Sequence, residues 1–251
     1  REGVKWYDHT GKEIAPVTAQ DFVDAALYAL DAKNNSSTEY MMEGIVANAA
    51  GYYAYTSYLL ESKDGTLTKN EDGEDIEVVP EVKPEDVGVK AVDELTLQYT
   101  LEKPTPYFLS VLNYGCYLPA NGEFMRSCVA EDGNDMFGTD NTKLLYNGAY
   151  ILSTFEPQNR RIMTKNPNYW DKDNVFIETV EQTYNKEMDT IAPEMFRRGE
   201  TDIAYLSADI LDAWLAGEDT KDMVSQTRVD ASYSYFYAFN FEPKFDDAYE
   251  P

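Results

Sequence analysis

The sequence predicts an α/β chain with mixed sheets. Helix-period segments and alternating strand segments follow one another along its length. Apolar residues make up 43% of the composition, enough for real cores, and 251 residues exceed one compact domain, so two lobes are expected.

The first helix has the clearest start. In Pro16-Val17-Thr18-Ala19-Gln20-Asp21-Phe22, Thr18 can cap and Asp21, three residues on, can reach back as in a capping box. Phe22, Ala26, Leu27 and Leu30 then share one face. Asp31 to Thr38 reads as a loop. A second helix is expected from Glu39 to Leu60, where Met41, Met42, Ile45 and Val46 precede Tyr52, Tyr53, Tyr55 and Tyr58 as a core stripe. Ser62 to Asp75 is polar, with Asp-Gly at 64–65 and 72–73, and reads as an exposed loop or small hairpin. Its acids miss the alternate spacing of a calcium loop.

Val87, Val89 and Ala91 alternate, as do Leu95, Leu97, Tyr99 and Leu101 after a turn at Asp93-Glu94, so two strands are expected. Lys103-Pro104-Thr105-Pro106 stops the second, because proline supplies no ladder donor. A short helix follows at Tyr107 to Leu112. Gly115 to Asp140, rich in Gly, Asn and acids, is expected to carry the crossing between lobes. Asn147-Gly148 turns into a strand, Ala149 to Phe155, which forms a hairpin with Arg160 to Lys165. Another strand is expected at Phe176 to Tyr184. Asp189 to Arg198 reads as a helix, with Arg197 and Arg198 suiting its C-terminal dipole and Gly199 the position after it. Pro193 fits only near a first turn. A buried strand at Asp202 to Leu206, a helix at Ala208 to Ala216 and an aromatic strand at Tyr233 to Phe241 complete the chain.

Lys plus Arg total 21 against 46 Asp plus Glu, a formal net charge of −25. Such a chain repels phosphate backbones, so nucleic acid is excluded as a partner and anionic membrane surfaces are disfavoured. No run of about 18 apolar residues occurs. The first residues read like the interior of a domain, so the chain is expected to start within a longer protein. Cys116 and Cys128 are the two cysteines; they form a disulfide or remain buried thiols, and spacing decides neither. No Cys/His spacing suits zinc. The one histidine, His9, lies in a polar turn, and no GxSxG, GxGxxG or P-loop occurs, so no catalytic residue, metal or cofactor is expected.

Four blocks resemble the large peptide-binding proteins of ABC importers, the family 5 extracellular solute-binding proteins. The first is Gly3-Val4-Lys5-Trp6 with Pro16 to Val23. The second is Leu95-Thr96-Leu97 with Pro104-Thr105-Pro106-Tyr107-Phe108. The third is Tyr146-Asn147-Gly148-Ala149-Tyr150 with Lys165 to Asp171. The fourth is Phe196-Arg197-Arg198-Gly199-Glu200-Thr201-Asp202-Ile203. They occur in the family's order across nearly the whole chain. Residues 64–80 are longer and more acidic than the pattern, and 122–140 match it poorly.

The resemblance implies a type II periplasmic-binding-protein-like lobe with an extra α+β domain. Residues 1–115 would be that extra domain. Residues 116–251 would be most of the first α/β ligand-binding lobe, ending at the crossover to a second lobe that carries the other half of the cleft. It implies a monomer, outside the cell or in the periplasm and lipid-anchored at full length, that hands oligopeptides to the permease subunits of an ABC transporter. A dipeptide, sugar, nickel or haem receptor, or a surface interaction protein without a solute, are the alternatives. Ligands of such lobes meet the carboxyl ends of strands. Tyr205, Leu206 and Ser207 follow one expected strand, and Tyr235 and Tyr237 share one face of another. Tyr117 lies where the extra domain rejoins the lobe, and Tyr40 is a contact from the extra domain. These seven are the expected ligand-binding residues.

Overall fold

A computed structural model of the chain describes residues 1–225 together with Phe236, Tyr237 and Phe239. It divides into two compact units, Arg1–Asn185 and Lys186–Pro251.

The first unit opens with an antiparallel hairpin of β1 (Lys5–Tyr7) and β2 (Glu13–Pro16). Asp8 shapes its turn: its Oδ1 accepts from the Thr10 N–H at 2.9 Å, the Thr10 hydroxyl at 2.6 Å and the Lys12 N–H at 3.0 Å. His9 lies in this turn. Helix α1 (Ala19–Leu30) begins as the sequence predicts, with Thr18 at the N-cap and the Thr18 N–H donating to Asp21 Oδ2 at 2.7 Å. Its buried stripe runs through Val23, Ala26 and Leu30, while Phe22 and Leu27 are half-buried.

The helix expected from Glu39 starts late. Glu39–Met41 makes one 3-10 turn, and α2 spans Ala49–Ser62. Two observations explain the delay. Gly44 and Asn48 adopt left-handed φ angles of 65° and 61°, which interrupt a right-handed helix. The backbone between them is engaged elsewhere: the Ala47 N–H donates to the Thr100 carbonyl at 3.0 Å, and the Glu102 N–H to the Ile45 carbonyl at 2.9 Å. Val46 thereby bridges to Leu101, beside the hairpin of β3 (Val89–Ala91) and β4 (Leu97–Tyr99). The polar segment after α2 closes into a small hairpin through a Lys69–Asp75 bridge.

Helices α3 (Phe108–Val111) and α4 (Gly122–Ser127) flank a 3-10 turn at Gly115–Tyr117. Asn121 caps α4, its side chain accepting from the Phe124 N–H at 2.9 Å. The core packs α1 and the start of α2 over the β3–β4 hairpin, with Leu30, Met42, Val46 and Val87 fully buried. Burying a side chain of the size of Leu30 stabilises by about 1.5–3 kcal/mol. Cys116 and Cys128 are both free, buried thiols, which settles the alternative in favour of no disulfide.

An antiparallel sheet in the order β5-β6-β7 completes this unit, from β5 (Tyr150–Glu156), β6 (Arg160–Lys165) and β7 (Thr179–Thr183). β6 and β7 lie within the segments the sequence marks as strands, and β5 runs one residue past its expected end at Phe155.

In the second unit, α5 spans Met188–Arg197 and tolerates Pro193 inside it, beyond the first turn where the sequence would place it. Gly199 ends it at φ 72°, with the Glu200 N–H donating to the Met195 carbonyl at 2.9 Å. Residues 202–206 form no strand, contrary to expectation: among the described residues no neighbouring strand pairs with them. Helix α6 (Ala208–Ala216) follows. Its Trp214 is buried beside Phe196, ring centroids 6.4 Å apart, and the buried Thr220 hydroxyl donates to the Trp214 carbonyl at 2.6 Å. The expected strand from Tyr233 lies mostly outside the described residues.

Candidate ligand-binding site

Tyr40 and Tyr117 both lie in the first unit, in different roles. Tyr117 is 3% exposed, its ring edge-on to Phe108 at 6.2 Å and tilted against Tyr99 at 6.0 Å. Its hydroxyl donates to the Met41 carbonyl at 3.0 Å. Burial pushes its phenol well above the ordinary range, with Cys116 and Tyr99 adding to the shift. As the structure stands Tyr117 is therefore a core residue and not a surface contact. Its chemistry is to fix the turn Glu39–Met41, on which Tyr40 projects, 61% exposed. The Cys116 thiol lies against the same turn. Burial raises it, a hydrogen bond with Thr38 opposes, and the Glu39 charge raises it further. Glu39 Oε2 is buried and accepts no hydrogen bond.

Tyr205, Leu206 and Ser207 form the extended lead-in to α6, not a strand end. Tyr205 is 81% exposed, Leu206 is half-buried, and Ser207 holds the N-cap position. The Ser207 hydroxyl bonds the Asp209 carboxylate and holds it below the usual range. Tyr237 is almost fully exposed, and Tyr235 lies outside the described residues.

The third sequence block is joined by one side chain. Asn166 is fully buried; its amide donates to the Gly148 carbonyl at 3.0 Å, and its Oδ1 accepts from the Asn168 N–H at 3.0 Å. The backbone N–H of Asn166 donates to the Ala149 carbonyl at 2.8 Å. Beside this junction a groove of about 340 Å³ is lined by residues that include Thr18, Leu95, Gly148 and Trp170, drawn from the first three blocks. The Arg1 guanidinium stacks over the Trp170 ring at 4.2 Å.

Sequence reasoning missed a larger groove, of about 590 Å³, lined by Tyr28, Tyr52, Arg126 and Asp135 among others. The Tyr28 hydroxyl donates to Asp135 Oδ2 at 2.8 Å across 107 positions of sequence, a pairing no local pattern announces. Among the described residues no group of His, Cys, Asp and Glu is placed to hold a metal ion.

The family model for bacterial extracellular solute-binding proteins, family 5 middle, matches residues 1–249. The chain belongs to this family. Relatives of this solute-binding protein include the oligopeptide-binding protein AmiA of Streptococcus pneumoniae, 36% identical over 206 residues, covering 82% of this chain and 26% of the relative. The oligopeptide-binding protein SarA of Streptococcus gordonii is 33% identical, covering 96% of this chain and 32% of the relative. The dipeptide-binding protein DppE of Bacillus subtilis is 31% identical, covering 96% and 36%. This solute-binding protein thus spans about a third or less of the length of the curated relatives it matches first.

Among solved structures, the substrate-binding domain of an oligopeptide ABC transporter from Bacillus anthracis aligns with a TM-score of 0.65 at 25% identity, over 87% of this chain and 35% of that one. OppA of Listeria monocytogenes, solved with bound peptide, aligns with a TM-score of 0.63 at 25% identity, over 87% and 36%. The fold is that of the type II periplasmic-binding-protein-like peptide binders, with mixed helices and sheets as the sequence predicts.

Proposed function

We propose that this chain is part of the capture component of an ABC importer, which clasps oligopeptides between two lobes and hands them to the membrane permease subunits. The observation that carries this is the family match over residues 1–249, joined to relatives named for oligopeptide binding at 32–36% identity. Residues 1–115 would form the extra α+β domain and residues 116–251 most of the first binding lobe. The second lobe would supply the remaining half of the cleft. The protein would act as a monomer at the cell surface or in the periplasm, held by a lipid, with no catalytic role of its own.

Tyr40, Tyr205, Leu206, Ser207, Tyr235 and Tyr237 are the contact residues of this proposal, with Tyr117 positioning Tyr40. Exposed tyrosines suit a peptide receptor that accepts many sequences: each offers a flat apolar face and a hydroxyl without binding one side chain alone. The peptide's own backbone supplies the sequence-independent hydrogen bonds.

Native mass spectrometry of the gently purified full-length protein tests the proposal, with the 251-residue chain alongside. Peptides released from the full-length protein and not from this chain are the expected result. A full-length protein that stays empty after a mixed peptide pool is added overturns it. Tight binding by this chain alone overturns the placement of half the cleft outside it.

A further inference from the structure

Tyr40 and Tyr205, two exposed tyrosines among the proposed contact residues, sit in stretches without a single positive charge. Between Lys33 and Lys63 no Lys or Arg occurs, while Glu39, Glu43 and Glu61 do. Between Arg198 and Lys221 again none occurs, and the acids there include Asp202, Asp209 and Asp212. Those three aspartates are exposed and outside the ion pairs that Arg197, Arg198 and Lys221 make with Glu194, Asp219, Glu200 and Glu218. Beside Tyr40, Glu39 Oε2 accepts no hydrogen bond. The two segments belong to different units, yet each has the same sign of local charge, within a chain whose net charge is −25.

We propose that the receptor selects for peptides of net positive charge, with the acidity of this chain accelerating their encounter and opposing that of anionic peptides. This rests on the peptide-binding function proposed above and adds the class of peptide. The physical cause is the summed field. Excess charge of one sign raises the local concentration of oppositely charged ligands and lifts association rates by about 10- to 1,000-fold at low salt. The effect acts over about 10 Å at 0.1 M salt and over about 30 Å at 0.01 M, so it needs no ion pair with the bound peptide. Dissociation, which reflects the close contacts of the cleft, would respond far less to peptide charge.

Stopped-flow fluorescence on the native full-length protein tests this with three alanine-based pentapeptides that differ at two central positions: Lys-Lys, Gln-Gln or Glu-Glu. At 10 mM salt the Lys-Lys peptide is expected to associate about tenfold or more faster than the Glu-Glu peptide, the Gln-Gln peptide falling between. In 0.5 M salt the gap should close to less than about threefold. The D202N/D212N variant should narrow the low-salt gap at least about twofold, because it removes two negative charges from the segment that holds Tyr205. Equal association rates for three peptides that all bind would overturn the charge selection and leave peptide binding standing. A gap that persists unchanged in 0.5 M salt would overturn the field as its cause. Binding of none of the three, with an empty spectrum from the mixed pool, would overturn the peptide function and this inference with it.

Discussion

The Trp6 indole N–H donates to Asp21 Oδ2 at 3.1 Å, and both residues are buried. The same carboxylate takes the Thr18 N–H at 2.7 Å on Oδ2 and the Asn121 amide at 3.1 Å on Oδ1. One buried acid therefore ties the first hairpin, the start of α1 and the cap of α4 together. Asp21→Ala would leave these donors without an acceptor and should cost about 3 kcal/mol. Asp21→Asn keeps one acceptor oxygen and should cost less. Urea unfolding followed by fluorescence reads both, as a lower midpoint with an unchanged slope. A midpoint for Asp21→Ala equal to the parent's would remove Asp21 as a tie.

Gly88 lies where three backbone segments meet: its N–H donates to the Ala47 carbonyl at 2.8 Å and its carbonyl accepts from the Thr100 N–H at 2.7 Å. An added Cβ would overlap the Thr100 carbonyl oxygen and stand 3.0 Å from the Ala47 backbone nitrogen. Gly88→Ala should destabilise by about 1–3 kcal/mol or more, since backbone on both sides must shift. Gly148→Ala, with open space around the new methyl, should stay within about 0.5 kcal/mol. Thermal unfolding of the pair separates local crowding from a general loss of glycine.

Alkaline pH should unfold the first unit through its buried phenols. Burial pushes Tyr99 and Tyr146 up to about 12 from an ordinary value of 10.0. A raised pKa means the native state keeps these protons longer than the unfolded state does. Their contribution is complete below pH 10 and is lost as pH rises through about 12. Phenolate absorbance should show a delayed group of tyrosines released together with the loss of circular dichroism. A single step near pH 10 with the fold intact would contradict this.

Stability and binding should separate at the tyrosines. Tyr40→Ala and Tyr205→Ala remove exposed rings, so unfolding should shift by no more than about 0.5 kcal/mol while peptide affinity of the full-length protein falls about tenfold or more. Tyr117→Phe keeps the ring in the core and loses the hydrogen bond to Met41, for about 1 kcal/mol of stability. Its effect on affinity should be smaller than that of Tyr40→Ala. Isothermal titration beside thermal melts distinguishes contact from positioning; a larger affinity loss in Tyr117→Phe would reverse the two roles.

Local signals carried much of the fold. The Thr18–Asp21 box, the alternation at Val89 and Leu97 and the hairpin after Gly148 each depend on residues a few positions apart. Two failures share a different cause. The helix from Glu39 was interrupted by backbone bonds to Thr100 and Glu102, more than fifty positions away, which periodicity does not register. Residues 202–206 have the composition of a strand, but a strand exists only beside a partner. The site follows the same division. Tyr40 and Tyr205 are exposed, whereas the burial of Tyr117 depends on Phe108, Tyr99 and Met41 meeting in space.

Cys116 and Cys128 are buried, free, and shifted by burial toward the unreactive thiol form. They are therefore two internal clocks in the first unit. A thiol reagent in the solvent can reach each only when its surroundings open, so the labelling rate counts those openings, one around the Glu39–Met41 turn and one beside α4. Because the residues differ in neighbours, Cys116→Ser and Cys128→Ser each leave a single clock running. Breathing near Tyr40 could then be timed separately from breathing near Tyr28, with no probe attached to the protein beforehand.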